Sequence, residues 1–292
     1  MKFAKDFLRD FDGETIEDKI TEKSRWSLYH RRIFKHDGKL YETYYSVGAT
    51  EQQDESPYED EPDEIEVRFD VRTVRTPFHL VKSVSLRCNE AVLRIHERVT
   101  NESGQEVSFT WGHNPALGWP FVDESCRVDL PACRIRTITD FTPSTSRLKP
   151  DQISDWPLAE GIDGGRVDLS RIPGPEATSS DMVFLEGITE GWYAVTNTRI
   201  RLGFALRYPA DLFKQLWFWQ VYRGGQDYPW WSATYNVALE PCATLPVLSH
   251  AAARGEALTL GAGESRELDL MAIAFEGIAR VSSVTSDGSV HS

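Results

Sequence analysis

Cysteine is scarce in this 292-residue chain, and its spacing excludes several kinds of site. The four cysteines, Cys88, Cys126, Cys133 and Cys242, form no Cys-x-x-Cys pair. Such pairs mark zinc sites and redox centres, and a chain of this length can bury a core without disulfide bonds. We therefore expect four reduced, buried thiols.

Long apolar runs and the short motifs of several large enzyme classes are also absent. No apolar stretch reaches the length of a signal peptide or a membrane-spanning helix, which predicts a cytoplasmic protein that does not enter a membrane. There is no GxxxxGK(S/T) phosphate loop, no HExxH zinc motif and no GxSxG nucleophile turn. We expect chemistry that needs neither a cofactor nor a metal.

Positive charge is in deficit. The chain carries 32 Lys and Arg against 45 Asp and Glu, a net charge of −13, which opposes binding to nucleic acid or anionic lipid. Most of the imbalance lies in residues 51–66, which hold nine acidic residues and no basic one. Such a stretch buries too little apolar surface to fold alone, so it is predicted to be a linker or an exposed loop.

The residues ahead of this acidic stretch predict a small α+β segment. Apolar residues at helical spacing predict a short helix over residues 2–11. Asp37-Gly38, between two aromatic and β-branched runs, predicts a hairpin within residues 25–47. Together with the acidic linker these elements form the first predicted domain, residues 1–66.

The second predicted domain, residues 67–292, is an antiparallel all-β sandwich. Residues 140–180 are rich in Pro, Ser, Asp and Gly and predict a long surface excursion. Residues 258–270 predict a hairpin, and residues past Arg280 predict a frayed polar tail. The predicted strands are Val67–Val74, Phe78–Leu86, Ala91–Thr100, Val107–Trp111, Met182–Leu185, Trp192–Thr196 and Ile200–Arg207.

One acidic residue interrupts an apolar strand near the C-terminus. Tyr235, Val237 and Leu239 alternate with smaller or polar residues in a strand pattern, and Glu240 follows just before Pro241. These residues alone leave two interpretations open. Glu240 is either an ion-paired carboxylate at the end of a strand or a group that transfers protons.

Tryptophan is concentrated shortly before this strand. Trp217, Trp219, Trp230 and Trp231 fall within fifteen residues of one another. An indole ring matches the apolar C–H face of a sugar ring, so a stacking surface is one interpretation and core packing is the other.

Residues 91–132, AVLRIHERVTNESGQEVSFTWGHNPALGWPFVDESCRVDLPA, resemble the corresponding section of the aldose 1-epimerase (galactose mutarotase-like) superfamily. The later LEP and ARGEALTLGAGESRELDL segments are similar to it as well. The resemblance covers residues 67–280 and implies an antiparallel β-supersandwich. In that family a histidine and a glutamate occupy the positions that match His113 and Glu240.

The resemblance implies a protein that binds a hexose or related monosaccharide and interconverts its anomers. Glu240 would take the anomeric hydroxyl proton, and His113 would protonate the ring oxygen. A hydrogen-bonded loop histidine is the alternative for His113. Arg75 would replace an arginine of the family, and an ordinary surface arginine is the alternative for it. The expected substrate-binding residues are Asn114, Trp119, Asp123, Trp217, Trp219, Gln220 and Arg75.

The front of the chain departs from the family. Members usually begin with strands and a motif that supplies a second histidine and an arginine, and residues 1–66 contain no such motif. Residues 25–48 are candidates for the missing strands. The alternatives to a mutarotase are a non-catalytic carbohydrate-binding or regulatory module of the same fold, a glycosidase that pairs Glu240 with Asp123, and an interaction protein that uses its acidic stretch.

Overall fold

A computed structural model describes residues 11, 13–23, 27–48, 64–137, 140 and 142–292. The chain divides into two compact units, Met1–Asp63 and Glu64–Ser292. The helix predicted for residues 2–11 and nearly all of the acidic stretch fall outside the described residues, apart from Phe11 and residues 64–66.

The described part of the first unit is a three-stranded antiparallel sheet. Its strands, in spatial order, are β1 (Thr15–Lys23), β2 (Ser27–His36) and β3 (Lys39–Gly48). Asp37 and Gly38 join β2 to β3 with positive φ angles of 49° and 75°, which two-residue hairpin turns require. The predicted hairpin is confirmed, whereas β1 was not predicted. These described strands form a sheet of their own.

The second unit is built from two large antiparallel sheets. In spatial order the seven-stranded sheet contains β4 (Glu64–Arg72), β5 (Phe78–Arg87), β6 (Val92–Asn101), β20 (Ser265–Glu276), β16 (Leu202–Arg207), β15 (Trp192–Asn197) and β9 (Cys126–Asp129). The six-stranded sheet contains β11 (Ile153–Asp155), β10 (Arg134–Arg136), β14 (Ser179–Glu186), β17 (Gln215–Tyr222), β18 (Tyr235–Cys242) and β8 (Ala116–Gly118). The all-β sandwich predicted from the sequence is confirmed.

Smaller elements complete this unit. The helix is α1 (Leu248–Ala253). The two-stranded pairs are β12 (Leu158–Glu160) with β13 (Arg166–Asp168), β7 (Val107–Phe109) with β19 (Leu258–Leu260), and β21 (Ser283–Val284) with β22 (Val290–His291).

Alternating residues of the two large sheets form the core between them. This follows from the period of two in a strand, which sends every second side chain to the same face. We call the sheet faces that meet in this core inner faces and the opposite ones outer faces. Inner-face residues include Ile135, Val183, Leu185, Leu216, Phe218, Val237 and Leu239 of the six-stranded sheet, and Val128, Tyr193, Val195, Leu206, Leu268 and Leu270 of the seven-stranded sheet.

Two predictions for the C-terminal part are wrong. Residues 258–270 do not form a hairpin, because β19 pairs with β7 whereas β20 lies between β6 and β16. The residues past Arg280 do not fray. They form the β21–β22 pair, and Val281 and Val284 pack against Trp192 on the outer face of the seven-stranded sheet. Burial of these two valines outweighs the polar composition of the tail.

The predicted surface excursion is more ordered than its composition indicated. Its described residues contain β11, β12 and β13, and it buries Leu148, Ala159 and Leu169 in the main core. The four cysteines are free thiols, but only Cys126 and Cys242 are buried as predicted, whereas Cys133 is half-buried and Cys88 is exposed. Among the described residues, no helix is long and apolar enough to cross a membrane.

Candidate active site

Strand pairing places Glu240 on the outer face of the six-stranded sheet. Val237 and Leu239 of β18 lie in the core, so Glu240, one residue further on, points to the opposite face. Its register partner on β17 is Trp217. In the next rung of the ladder Trp219 pairs with Ala238 on the same face.

An aromatic row leads across this face to Glu240. Arg136, Phe184, Trp217 and Glu240 are successive register partners on four adjacent strands. The rings of Phe184 and Trp217 meet edge to face with 5.7 Å between their centroids. The Trp217 Nε1 donates a hydrogen bond of 2.9 Å to a backbone carbonyl, which fixes the ring orientation.

A second aromatic pair lies beside this row. The ring centroids of Trp219 and Trp230 are 4.8 Å apart. Trp230, from the loop between β17 and β18, is 37% exposed. The outer face therefore combines indole rings with one acidic residue, and the predicted residues Trp217, Trp219 and Glu240 come together here.

The Glu240 carboxyl group is buried, and no hydrogen bond or ion pair within the described residues offsets the cost of burying it. The residue is 8% exposed, and burial raises its pKa to about 7. Among the described residues, no side chain or backbone group forms a hydrogen bond or an ion pair with it. A carboxyl group in this state exchanges protons near neutral pH, and the ion-paired interpretation of Glu240 does not fit the structure.

The segment before β8 runs antiparallel to the end of β18. The backbone nitrogen of His113 donates to the carbonyl oxygen of Pro241 over 3.0 Å, and Gly112 forms a bridge with Cys242. The same register continues into β8, where Ala116 pairs with Ala238. Counting along this register puts Asn114 opposite Glu240 on the outer face, and His113 on the inner face.

The His113 imidazole accordingly contacts residues of the core. Its Nε2 lies 3.2 Å from Oε2 of Glu97 on β6, and its ring meets Phe213 edge to face at 5.7 Å. This contact brings the imidazole within ion-pairing distance of the Glu97 carboxylate. The two residues expected to act together in catalysis, His113 and Glu240, thus point to opposite faces of one sheet.

Glu97 is a second buried carboxylate that the sequence analysis missed. It is 3% exposed and accepts a 3.0 Å hydrogen bond from Nε1 of Trp111, and Nζ of Lys82 lies 3.0 Å from it. Burial favours the neutral acid, but His113 and Lys82 outweigh it and lower the Glu97 pKa to about 2. The sequence did contain a signal for Glu97: it is an acidic residue that alternates with the apolar residues Ile95 and Val99 on the inner face of β6.

Gln220 lies on the inner face, away from Glu240. Its side-chain oxygen accepts a 2.9 Å hydrogen bond from Arg147, whose Nε also donates over 2.7 Å to Asp181, the register partner of Gln220. Gln220 is fully buried, so its amide is not available to a ligand on the outer face.

The remaining predicted residues lie elsewhere. Trp119 and Asp123 line a cavity of about 520 Å³ beside Tyr235, at the opposite end of β18 from Glu240. Arg75 lies in the exposed turn between β4 and β5 of the other sheet. Among the described residues, no cluster of His, Cys, Asp and Glu has the arrangement of a metal site.

A family model described as "Domain of unknown function (DUF4432)" matches residues 55–273. None of the curated proteins matches the chain.

Solved structures share the fold at low sequence identity. A Klebsiella pneumoniae protein provisionally named an aldose 1-epimerase is 15% identical, with a TM-score of 0.56 over 84% of this chain and 60% of that chain. An Escherichia coli K12 protein with the same provisional name is 12% identical, with a TM-score of 0.52 over 84% of this chain and 79% of that chain. A TPR-domain containing protein from Parabacteroides distasonis is 13% identical, with a TM-score of 0.51 over 86% of this chain and 46% of that chain.

The chain thus spans 60% of the length of the Klebsiella protein. The likeness at this identity concerns the fold alone, and the fold of the aldose 1-epimerase superfamily is the one that the sequence resemblance implied. Because the family model matches most of the chain, the chain belongs to the family described as "Domain of unknown function (DUF4432)".

Proposed function

We propose that the outer face of the six-stranded sheet binds a hexose or related monosaccharide and that Glu240 interconverts its anomers. The observation that carries this proposal is the buried Glu240 carboxyl group, with its pKa near 7 and no described partner, in register with Trp217.

The tryptophans supply the binding surface. Trp217 and Trp219 lie on the same face as Glu240, with Trp230 packed against Trp219. Indole faces pack well against the C–H groups of a pyranose, and a carboxylate accepts hydrogen bonds from its hydroxyl groups.

Glu240 begins the reaction as the ionised base. It takes the anomeric hydroxyl proton, the bond between C1 and the ring oxygen breaks, and a carbonyl group forms at C1. The ring oxygen receives a proton, and closure on the other face of the carbonyl gives the second anomer.

The structure leaves open which group protonates the ring oxygen. The sequence resemblance assigns it to His113, whose imidazole is on the inner face beside Glu97. We propose instead that Glu240 returns the proton that it has just taken, since a pKa near 7 makes gain and loss equally accessible at neutral pH.

The test is the rate at which freshly dissolved α-glucose and α-galactose reach anomeric equilibrium, followed by polarimetry and by proton NMR. The wild-type chain should accelerate the approach to equilibrium. Glu240→Gln should lower that acceleration by about 100-fold or more, because the amide cannot take the proton. Glu186→Gln is the matched control, since Glu186 lies on the same face but is ion-paired with Arg136.

Equal rates for wild type and Glu240→Gln would contradict the assignment of the base. His113→Gln separates the two possible acids. It should retain most of the activity if Glu240 returns the proton, and a loss as large as that of Glu240→Gln would restore His113 as the acid.

A non-catalytic carbohydrate-binding module is the second candidate. The observation that favours it is that Asn114, whose amide does not act as an acid or a base at neutral pH, occupies the register position opposite Glu240. Sugar binding observed by NMR without accelerated anomerisation would support this module.

A further inference from the structure

A separate cavity lies at the end of the sandwich where β18 begins. Its volume of about 520 Å³ falls in the range of small-molecule sites. It borders Tyr235, five positions before Glu240 on β18, which corresponds to roughly 17 Å along a strand. The proposed sugar-binding face does not use this cavity.

Two loops that form its wall are fastened to each other. Asn197 is fully buried. It donates a 2.8 Å hydrogen bond to the carbonyl oxygen of Phe121 and accepts a 3.1 Å hydrogen bond from the backbone nitrogen of Arg199. Asp123 is also buried. It accepts a 2.8 Å hydrogen bond from the backbone nitrogen of Ser125 and binds the Arg199 guanidinium group. The wall is therefore preorganised, and Arg199 is held at the cavity with 61% of its side chain exposed.

A second arginine at the cavity has no such partner. Arg223 is exposed with a φ of 58°, and its backbone nitrogen donates 2.8 Å to Thr234. Among the described residues, its guanidinium group makes no hydrogen bond or ion pair. Five N–H donors in a planar fork are free, and that geometry matches a carboxylate.

The cavity also presents an aromatic surface and an acid. Trp119 is 73% exposed, which is unusual for a tryptophan. Glu124 lies at the same cavity, where it repels an anion but accepts hydrogen bonds from hydroxyl groups. A ligand that satisfies all three groups has one carboxylate, one apolar ring face and several hydroxyl groups.

We infer that this cavity binds a sugar acid of the hexuronate type. Its carboxylate lies on the Arg223 fork, with Arg199 as the second cation, and its ring stacks on Trp119. Trp119 and Asp123, which the sequence assigned to the Glu240 site, then belong to this second site, Asp123 by positioning Arg199. The inference does not depend on the anomerase activity of the outer face.

Isothermal titration of the full-length chain with D-glucuronate tests this site, with D-glucose as the neutral comparator. Glucuronate should bind through its carboxylate on the arginine fork, whereas binding of glucose, which lacks a carboxylate, should not respond to Arg223→Gln. Arg223→Gln and Trp119→Ala should each weaken glucuronate binding about 10-fold or more. Arg223→Lys should fall between wild type and Arg223→Gln, since lysine keeps the charge but loses the fork.

Two controls locate the ligand. Arg254→Gln removes an exposed arginine that is ion-paired with Glu256, and it should leave glucuronate binding unchanged. Glu240→Gln should also leave it unchanged, because Glu240 belongs to the outer face. Arg223 and Trp119 are exposed, so unchanged thermal unfolding midpoints should accompany their loss of binding.

The inference is overturned if glucuronate does not bind, if Arg223→Gln leaves the affinity for glucuronate unchanged, or if Arg223→Gln weakens glucose binding by the same factor. Loss of binding in Glu240→Gln would place the ligand on the outer face. Tighter binding of glucose 6-phosphate than of glucuronate would assign the cavity to a phosphate group.

Discussion

Two buried carboxyl groups show how opposite environments give one residue type opposite protonation states. Glu97 is in contact with Lys82, Trp111 and His113, and its pKa is lowered to about 2. Glu240 has no described partner, and burial raises its pKa to about 7. Glu97 is therefore held as a charged group in the core, whereas burial favours the protonated form of Glu240.

The pH dependence of stability follows from the raised pKa of Glu240. The group favours folding fully below its unfolded pKa of 4.5, and this contribution is lost as pH rises to about 7. The loss amounts to about 3 kcal/mol by proton linkage. We expect the unfolding free energy of Glu240→Gln, relative to wild type, to rise by about that amount between pH 4 and pH 8.

Urea unfolding of both proteins at the two pH values measures this difference, and other titrating groups cancel in it. Glu186→Gln serves as the control and should not show the trend. A difference between Glu240→Gln and wild type that stays constant from pH 4 to pH 8 would mean that Glu240 does not titrate in this range.

At the scale of single elements, β4 is an exposed strand at the edge of the seven-stranded sheet. It is exposed along its whole length, with apolar residues on one face and charged residues on the other. Among the described residues, its backbone pairs with β5 alone. Such an edge is open to pairing with another chain.

We predict from the charge pattern that this partner is a second copy of β4. An antiparallel pair with Phe69 opposite Phe69 also places Glu66 opposite Arg72, and Arg68 opposite Asp70. In this pair, Asp70→Arg would place an arginine at position 70 of each copy opposite Arg68 of the other, so that like charges meet at two places. We expect it to weaken self-association about 10-fold or more in sedimentation experiments on the full chain.

The double variant Arg68→Asp with Asp70→Arg restores opposite charges and should regain self-association. A wild-type chain that stays monomeric at high concentration, or a double variant as weak as the single one, would rule out this pairing.

At the scale of the whole molecule the chain divides where β4 begins. The first described strands form a sheet of their own, and the second unit has its own core between two large sheets. The sequence placed this division at residue 66, within β4. We propose that residues 64–292 are an independent domain.

A fragment of residues 64–292 should therefore unfold cooperatively in urea, with the β-sheet circular dichroism of the full chain. Its anomerisation rate, compared with that of the full chain, shows whether the first unit contributes to activity. Gradual, non-cooperative unfolding of the fragment would indicate that the sandwich requires residues 1–63.

The sequence by itself determined what depends on neighbouring residues. Runs of strand-forming residues between turn signals predicted many of the long strands, though not β1 or β17. Asp37-Gly38 predicted a hairpin turn, and an acidic residue at the end of an apolar strand drew attention to Glu240. The fold was predicted from the family resemblance, because local sequence patterns do not indicate the spatial order of the strands.

Only the tertiary structure decided which faces and partners these residues have. Asn114 and His113 are adjacent in sequence, yet pairing with β18 sends one toward Glu240 and the other toward Glu97. Trp119 was expected beside Glu240 and lies instead at a separate cavity. The physical reason is that a side chain's face follows from the register with a strand distant in sequence, and a shift of one residue reverses it.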